Sequence, residues 1–221
     1  TPKGIVIFTS HWESDTLAIS FRDDTYEMIY DFGGFQKELY SFKYPAKGSI
    51  EIASSLQTKL ESHGITTKKD ESRGLDHGAW VVLHLMYPEA NIPVVQVSVN
   101  PELSLEEQYK IGQSIQELGK EDILVIGSGA TVHNLATIDW EANGTKAWAM
   151  EFDNWLIDKV EKKDLDSLMA FEKLAPYAKL AIPRNEHLVP LFINMGSGQV
   201  NPKLLHRSYD YGTLSYICFE F

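Results

Sequence analysis

Cysteine is almost missing: Cys218 is the only one in 221 residues, so no internal disulfide and no thiolate metal cluster can form. A reducing, cytoplasmic setting is the expectation from that usage. Long apolar runs are also missing. No stretch approaches the roughly 20 consecutive apolar residues of a membrane helix, and the first residues lack a signal-peptide pattern. Basic residues are scarce, 20 Lys and Arg against 31 Asp and Glu, and the resulting net charge of −11 argues against nucleic acid or an anionic membrane as partner. Several catalytic signatures are absent as well: no H-E-x-x-H, no G-x-S-x-G and no P-loop with its lysine. Gly127-Ser128-Gly129 follows an apolar run as a dinucleotide loop would, but Val132 stands where the third glycine is required. What remains is an ordinary globular balance, 43% hydrophobic and 23% charged, long enough for one substantial core.

The apolar runs alternate between two periods. Gly4-Ile5-Val6-Ile7-Phe8 reads as a buried strand, as do 92–99 after Pro93 and Asp122-Ile123-Leu124-Val125-Ile126. Residues 15–30 alternate loosely around Arg22-Asp23-Asp24 and read as an exposed strand or hairpin. Ser49 is placed to cap a helix carrying Ile50, Ala53, Leu56 and Leu60 up to Gly64. Ser104 with Glu107 is a capping box for a second helix, its apolar face supplied by Tyr109, Ile111, Ile115 and Leu118. A third carries Phe152, Trp155, Leu156 and Val160. Strand and helix in alternation predict an α/β protein with a parallel or mixed sheet covered on both faces. There is no internal repeat and no low-complexity linker, so one domain over 1–221 is expected.

Histidine placement carries the chemistry. His11 follows the first strand, and His133 follows the strand at 122–126 and its glycine turn. His77 and His187 lie in the turn-rich segments Arg73-Gly74-Leu75-Asp76-His77-Gly78 and Pro183-Arg184-Asn185-Glu186-His187. Ligands of open α/β sheets bind outside the carboxyl ends of the strands, where imidazoles from distant segments can converge on one ion. His63 at a helix end, His84 within Val81-Val82-Leu83-His84-Leu85-Met86, and His206 beside Arg207 read as structural or surface residues. Glu13 and Glu186 stand next to the candidate histidines as ligands or as groups that orient them. An acid–base role for one of the four suits a side chain titrating near neutrality.

Several strings, in this order, carry a resemblance over nearly the whole chain: Ser10-His11-Trp12-Glu13, Tyr30-Asp31-Phe32-Gly33-Gly34-Phe35, Tyr44-Pro45-Ala46-Lys47-Gly48-Ser49 and Gly74-Leu75-Asp76-His77-Gly78-Ala79-Trp80. They continue with Met86-Tyr87-Pro88-Glu89-Ala90, Gly127-Ser128-Gly129 through His133-Asn134-Leu135, Glu186-His187-Leu188-Val189-Pro190-Leu191 and Gly212-Thr213-Leu214-Ser215-Tyr216. The sequence resembles the 4,5-DOPA-dioxygenase branch of the class III extradiol ring-cleavage dioxygenases. That resemblance implies a three-layer α/β/α fold around a mixed sheet, and opening of a catechol ring with dioxygen at a mononuclear non-haem metal. It implies metal ligation by His11 and His187, an acid–base role for His133, and a pocket role for His77, where a hydrogen bond donated to bound oxygen or substrate would stabilise developing charge. It further implies Fe(II) for activity, with Zn(II) also met as a bound ion.

Trp12, Phe32 and Phe35 are then candidates for the wall around the ring, and Arg184 for a substrate carboxylate. An oligomer is compatible with all of this. One departure stands out: the family's first metal histidine belongs to a His-Gly-Ser/Thr-Pro motif on a strand preceding Ile5–Phe8, and no such motif occurs here. The expectation is an upstream segment carrying that loop, the alternative a protein that has lost one ligand. Two rival functions share the same histidines: a zinc-dependent hydrolase or amidase that activates water, and a non-catalytic metal-binding relative.

Overall fold

A computed structural model describes residues 1–221. Its centre is a five-stranded mixed sheet in the order β3-β2-β4-β1-β5. Strand β1 (Gly4–Glu13) pairs in parallel with β4 (Val94–Val99) on one side and β5 (Ile123–Ser128) on the other. Strand β2 (Leu17–Ser20) runs antiparallel to β4 and parallel to β3 (Thr67–Asp70). Because β4 and β5 flank β1 on opposite sides, their carboxyl ends open a crevice around the end of β1, the place where such sheets bind ligands.

The pleat of β1 sorts the core into two layers. Val6 and Phe8 face α1 (Ile50–Ser62), together with Ile111 of α3 (Leu105–Gln113). Ile5 and Ile7 face the opposite way, onto Ala79, Trp80 and Leu83 of α2 (His77–Met86) and onto Tyr26 and Tyr44. Both sides are apolar because β1 is covered on both, which is why the strand reads as a continuous hydrophobic run.

Outside the first layer, α4 (Ala147–Glu161) and the short α5 (Leu165–Met169), α6 (Phe171–Leu174) and α7 (Ala178–Ala181) form a further cluster. It packs on α8 (Val189–Ser197) through Phe152, Leu156, Phe171 and Phe192. Val189 and Ile193 of α8 turn toward the sheet, so this helix joins the two cores. A hairpin of β6 (Lys203–Asp210) and β7 (Leu214–Glu220) closes the chain.

The helix signals hold: Ser49 accepts from the Ile52 amide, and the Ser104–Glu107 capping box is complete. Ile115 and Leu118 are buried but lie beyond α3, in the turn that follows it. Two strand expectations are corrected. Leu17–Ser20 is fully buried between β3 and β4 rather than exposed, because its apolar run is covered on both faces and only the charged residues after it emerge. Conversely β5, expected to be buried, is an edge strand with most residues half-exposed.

The entry to α2 is held by a buried polar knot. Asp76 caps the helix through the Ala79 amide and accepts from Thr9 Oγ1 at 2.8 Å and from Arg73 at 3.0 Å. Thr9 lies on β1, so this carboxylate ties the start of α2 to the end of the central strand. Asp76→Ala removes a helix cap and leaves a largely buried guanidinium without its carboxylate. We expect a loss of about 2–4 kcal/mol, read from urea denaturation midpoints, with Asp76→Asn losing less.

Candidate active site

Strand β1 departs from its regular register just before it ends. Phe8 pairs with Val97 and Glu13 with Val99, so five steps along β1 oppose two along β4. Such an irregularity bends the strand and re-aims its side chains. His11 lies within it and turns toward the start of α2, while Trp12 is buried under the guanidinium of Arg73, 4.8 Å from its ring centroid. Trp12 is thus engaged by Arg73, and no histidine ring stacks on it.

Four imidazoles converge. His77 is the first residue of α2, and its ring centroid lies 4.0 Å from that of His11. The close approach depends on Gly78: a Cβ there would come within 2.8 Å of both the His11 ring and Thr9 Oγ1. On the other side His187, in the turn before α8, sets its ring edge-on to His11 at 5.2 Å. His133 stacks on His187 at 3.5 Å with only 13° between planes. The loop carrying His133 is pinned to the 181–187 segment by the Ala130 amide on the His187 carbonyl, 2.9 Å, and the His133 amide on Ala181, 3.0 Å. Gly129 makes this docking sterically possible, since a side chain there would collide with the His187 carbonyl. Buried Asp153 of α4 steadies the same loop by accepting from Thr131, two residues before His133, and from Ser215 of β7.

Carboxylates stand behind three of the rings. Asp31 Oδ2 is 3.1 Å from His11 Nδ1, and Asp31 Oδ1 is 2.8 Å from His77 Nδ1. Glu186 Oε1 is 3.0 Å from His187 Nδ1. Two trios with metal-ligand spacing result, His11–Asp31–His77 and His133–Glu186–His187, each with its donor atoms within 4.8 Å of one another. Imidazoles that bind metals typically pass their second ring N–H to a carboxylate in this way. In the sequence Asp31 carries no sign of this role beyond being a lone acid in an aromatic, glycine-bounded loop.

The electrostatics separate the two halves. Burial opposes ionisation of Asp31, but hydrogen bonds from His11 and His77 outweigh it and hold the carboxyl well below the usual range. Burial, reinforced by the neighbouring His187, pushes His133 down to about 4. Burial together with His11 and His77 does the same to His187, also about 4. Both stacked rings are therefore neutral at pH 7, as a metal ligand or a proton acceptor must be.

Of the remaining candidates, Phe32 borders the site, its ring 5.5 Å from His77, and Phe35 stands behind it at 5.6 Å. Tyr40 and Trp80 complete this aromatic patch. Arg184 is already paired with both carboxylate oxygens of Glu13. The other histidines lie apart: His63 caps α1 on the Lys59 carbonyl, His84 packs edge-on to Phe42 at 4.7 Å, and His206 meets Ser208 on β6.

Such a crevice of imidazoles at the switch point of an α/β sheet is the setting of a mononuclear metalloenzyme. Residues 1–219 match the family of the catalytic LigB subunit of aromatic ring-opening dioxygenases, and the chain belongs to that family. It is 42% identical to the 4,5-DOPA dioxygenase extradiol of Beta vulgaris, over the whole of this chain and 83% of that protein. It is 37% identical to the protein of the same name from Mirabilis jalapa, again over the whole chain and 83% of the relative. The crystal structure of an uncharacterized Escherichia coli K12 protein superimposes with a TM-score of 0.84 at 27% identity, covering 99% of this chain and 85% of that one. The expected fold and family are thereby borne out. No helix is long and apolar enough to cross a membrane.

The two neutral imidazoles give the metal-free protein a defined acid response. Both take up protons in the unfolded chain near 6.5 but in the folded chain only near 4. The unfolded state therefore binds more protons in that window, and stability falls as pH drops from about 6.5 to about 4. Melting in chelator across this range should show the loss, and His187→Gln should flatten it. A profile for that variant as steep as the wild type's would remove His187 as a source.

Proposed function

We propose that this chain opens the ring of a catechol with dioxygen, beside the hydroxyl pair, at a single divalent metal held by His11 and His187. The observation that carries the reading is the convergence of four imidazoles from four separate segments at the carboxyl end of β1. The donor set fits such an ion. Neutral imidazole nitrogens suit Fe(II) and Zn(II), and two of these rings are held neutral by burial. When bound, Fe(II) would supply an electron-rich Lewis-acid centre for catechol and dioxygen; Zn(II) would fill the same donors without redox chemistry.

The protein's own groups account for the rest. His133 lies against His187 and is neutral, which supports it as the group that takes a catechol proton and returns it when the ring opens. Its stacking fixes the ring plane, so the proton is exchanged at a set position and not by a swinging side chain. His77 and Phe32 lie on the opposite side, where an aromatic ring meets one edge-on apolar neighbour and one polar one. His11 and His77 keep about a quarter of their side-chain surface exposed whereas His187 keeps 12%, so substrate enters from the side of Asp31. Arg184 gives Glu13 only two of its five N–H donors, so the carboxylate of an acidic catechol would share this guanidinium with Glu13. The names of the relatives favour a DOPA-like substrate.

The test is reconstitution with Fe(II) followed by oxygen-electrode measurement over a panel of catechols. Stoichiometric oxygen uptake with ring-opened product is expected, together with loss of both metal and turnover in His187→Ala. His133→Ala should keep most of its metal while kcat falls about 10²–10⁴-fold. Substrate hydrolysis without oxygen uptake would replace this reading with the zinc hydrolase. Equal loss of metal in His133→Ala would make His133 a ligand.

A further inference from the structure

We infer that Asp31 is a positioning residue that sets the tautomer of two histidines at once, so that His11 and His77 each present an unprotonated Nε2 to the pocket. The proposal rests on the reading of that space as the metal and substrate site, but the tautomers can be read in the absence of either.

Three donors meet this one carboxylate. Oδ1 accepts from the backbone amide of His77 at 3.0 Å and lies 2.8 Å from its Nδ1, while Oδ2 lies 3.1 Å from Nδ1 of His11. The amide has no alternative role, so it orients Oδ1, and the second oxygen is left facing His11. A carboxylate only accepts hydrogen bonds. Each imidazole must therefore carry its proton on Nδ1, and a neutral ring so protonated has a bare lone pair at Nε2. Neither ring can easily turn away. His77 is anchored at the start of α2 by the Asp76 cap, and His11 sits in the bent end of β1 against Gly78.

Two consequences follow for chemistry. His11 offers a lone pair to a cation, as a metal ligand requires. His77, expected to donate a hydrogen bond as charge develops, is instead an acceptor while neutral: toward a catechol hydroxyl it offers the lone pair and the hydroxyl donates. The shared charge of Asp31 strengthens both lone pairs, since outer carboxylates raise the basicity of the imidazoles they hold.

Asp31→Asn tests this with almost no change of shape. An amide has one accepting oxygen and one donating NH2. The oxygen should stay with the two donors of His77, which turns the NH2 onto His11 Nδ1 and drives the His11 proton to Nε2. Nitrogen-15 NMR of the metal-free protein above neutral pH reads each ring directly. The wild type should show Nδ1–H with a bare Nε2 at both histidines, and the variant should show His11 alone inverted. Titration with Zn(II) against a chromogenic chelator should then find affinity lowered about 10–100-fold in the variant.

A proton on Nε2 of either ring in the wild type would overturn the proposal, as would an unchanged His11 with wild-type zinc affinity in Asp31→Asn. Should the variant fail to fold, the wild-type spectrum decides alone. The expected tautomers in a wild-type protein that binds no metal and consumes no oxygen would sink the proposed function and leave the role of Asp31 standing.

Discussion

The site depends on how β1 ends. A central strand with parallel neighbours on both sides has no freedom to drift, because each ladder sets its register independently. That rigidity stops at Phe8, where the pairing with β4 slips by several residues, and the slack is taken up by Thr9 through Trp12. Thr9 is tied to Asp76, His11 is turned onto Gly78 and Asp31, and Trp12 is buried under Arg73. One irregular turn of extended chain thus docks a helix, positions a loop acid and presents an imidazole.

Around it the site divides by dielectric environment. On the solvent side, His11 and His77 share an ionised acid and keep contact with water. On the inner side, His133 and His187 are stacked, desolvated and held neutral. A catechol-opening reaction needs both conditions: a place where negative charge is tolerated, and a place where a proton can be received near neutral pH. The fold supplies them by placing two histidines on the bent strand end and a helix start, and two on loops covered by the helical layer of α4 to α8.

Much of this was legible in the residues. The apolar runs at Ile5–Phe8 and 92–99 could only be covered strands, and Ser49, Ser104 and Glu107 announced helix starts by hydrogen-bond chemistry that acts within four residues. The four histidines were separable from the other three by their strand-end and turn-rich contexts. What escaped was set by long-range partners. Leu17–Ser20 reads as exposed because charged residues follow it, although β3 and β4 enclose it. Helix α2 is so uniformly apolar that it has weak periodicity, and its start is declared only by a cap shared with β1. Burial along β7 alternates, but its inward positions Ser215, Ile217 and Phe219 and outward positions Tyr216, Cys218 and Glu220 mix polar and apolar types, so the residues themselves do not spell out the hairpin. Asp31 could not be assigned at all, since its partners lie 20 and 46 positions away.

Gly78 and Gly129 carry a different kind of consequence. Neither has a functional group, yet each occupies space that a methyl group would take from a histidine or its carbonyl. Near-neighbour chemistry here is limited by room, not by donors and acceptors. A survey of every substitution in this chain would accordingly mark these two glycines as intolerant as the imidazoles beside them. Exposed aromatic residues such as Phe35 would stay open to change. Within this family, divergence toward new substrates then has its freest path through the aromatic rim, because the floor is sterically closed.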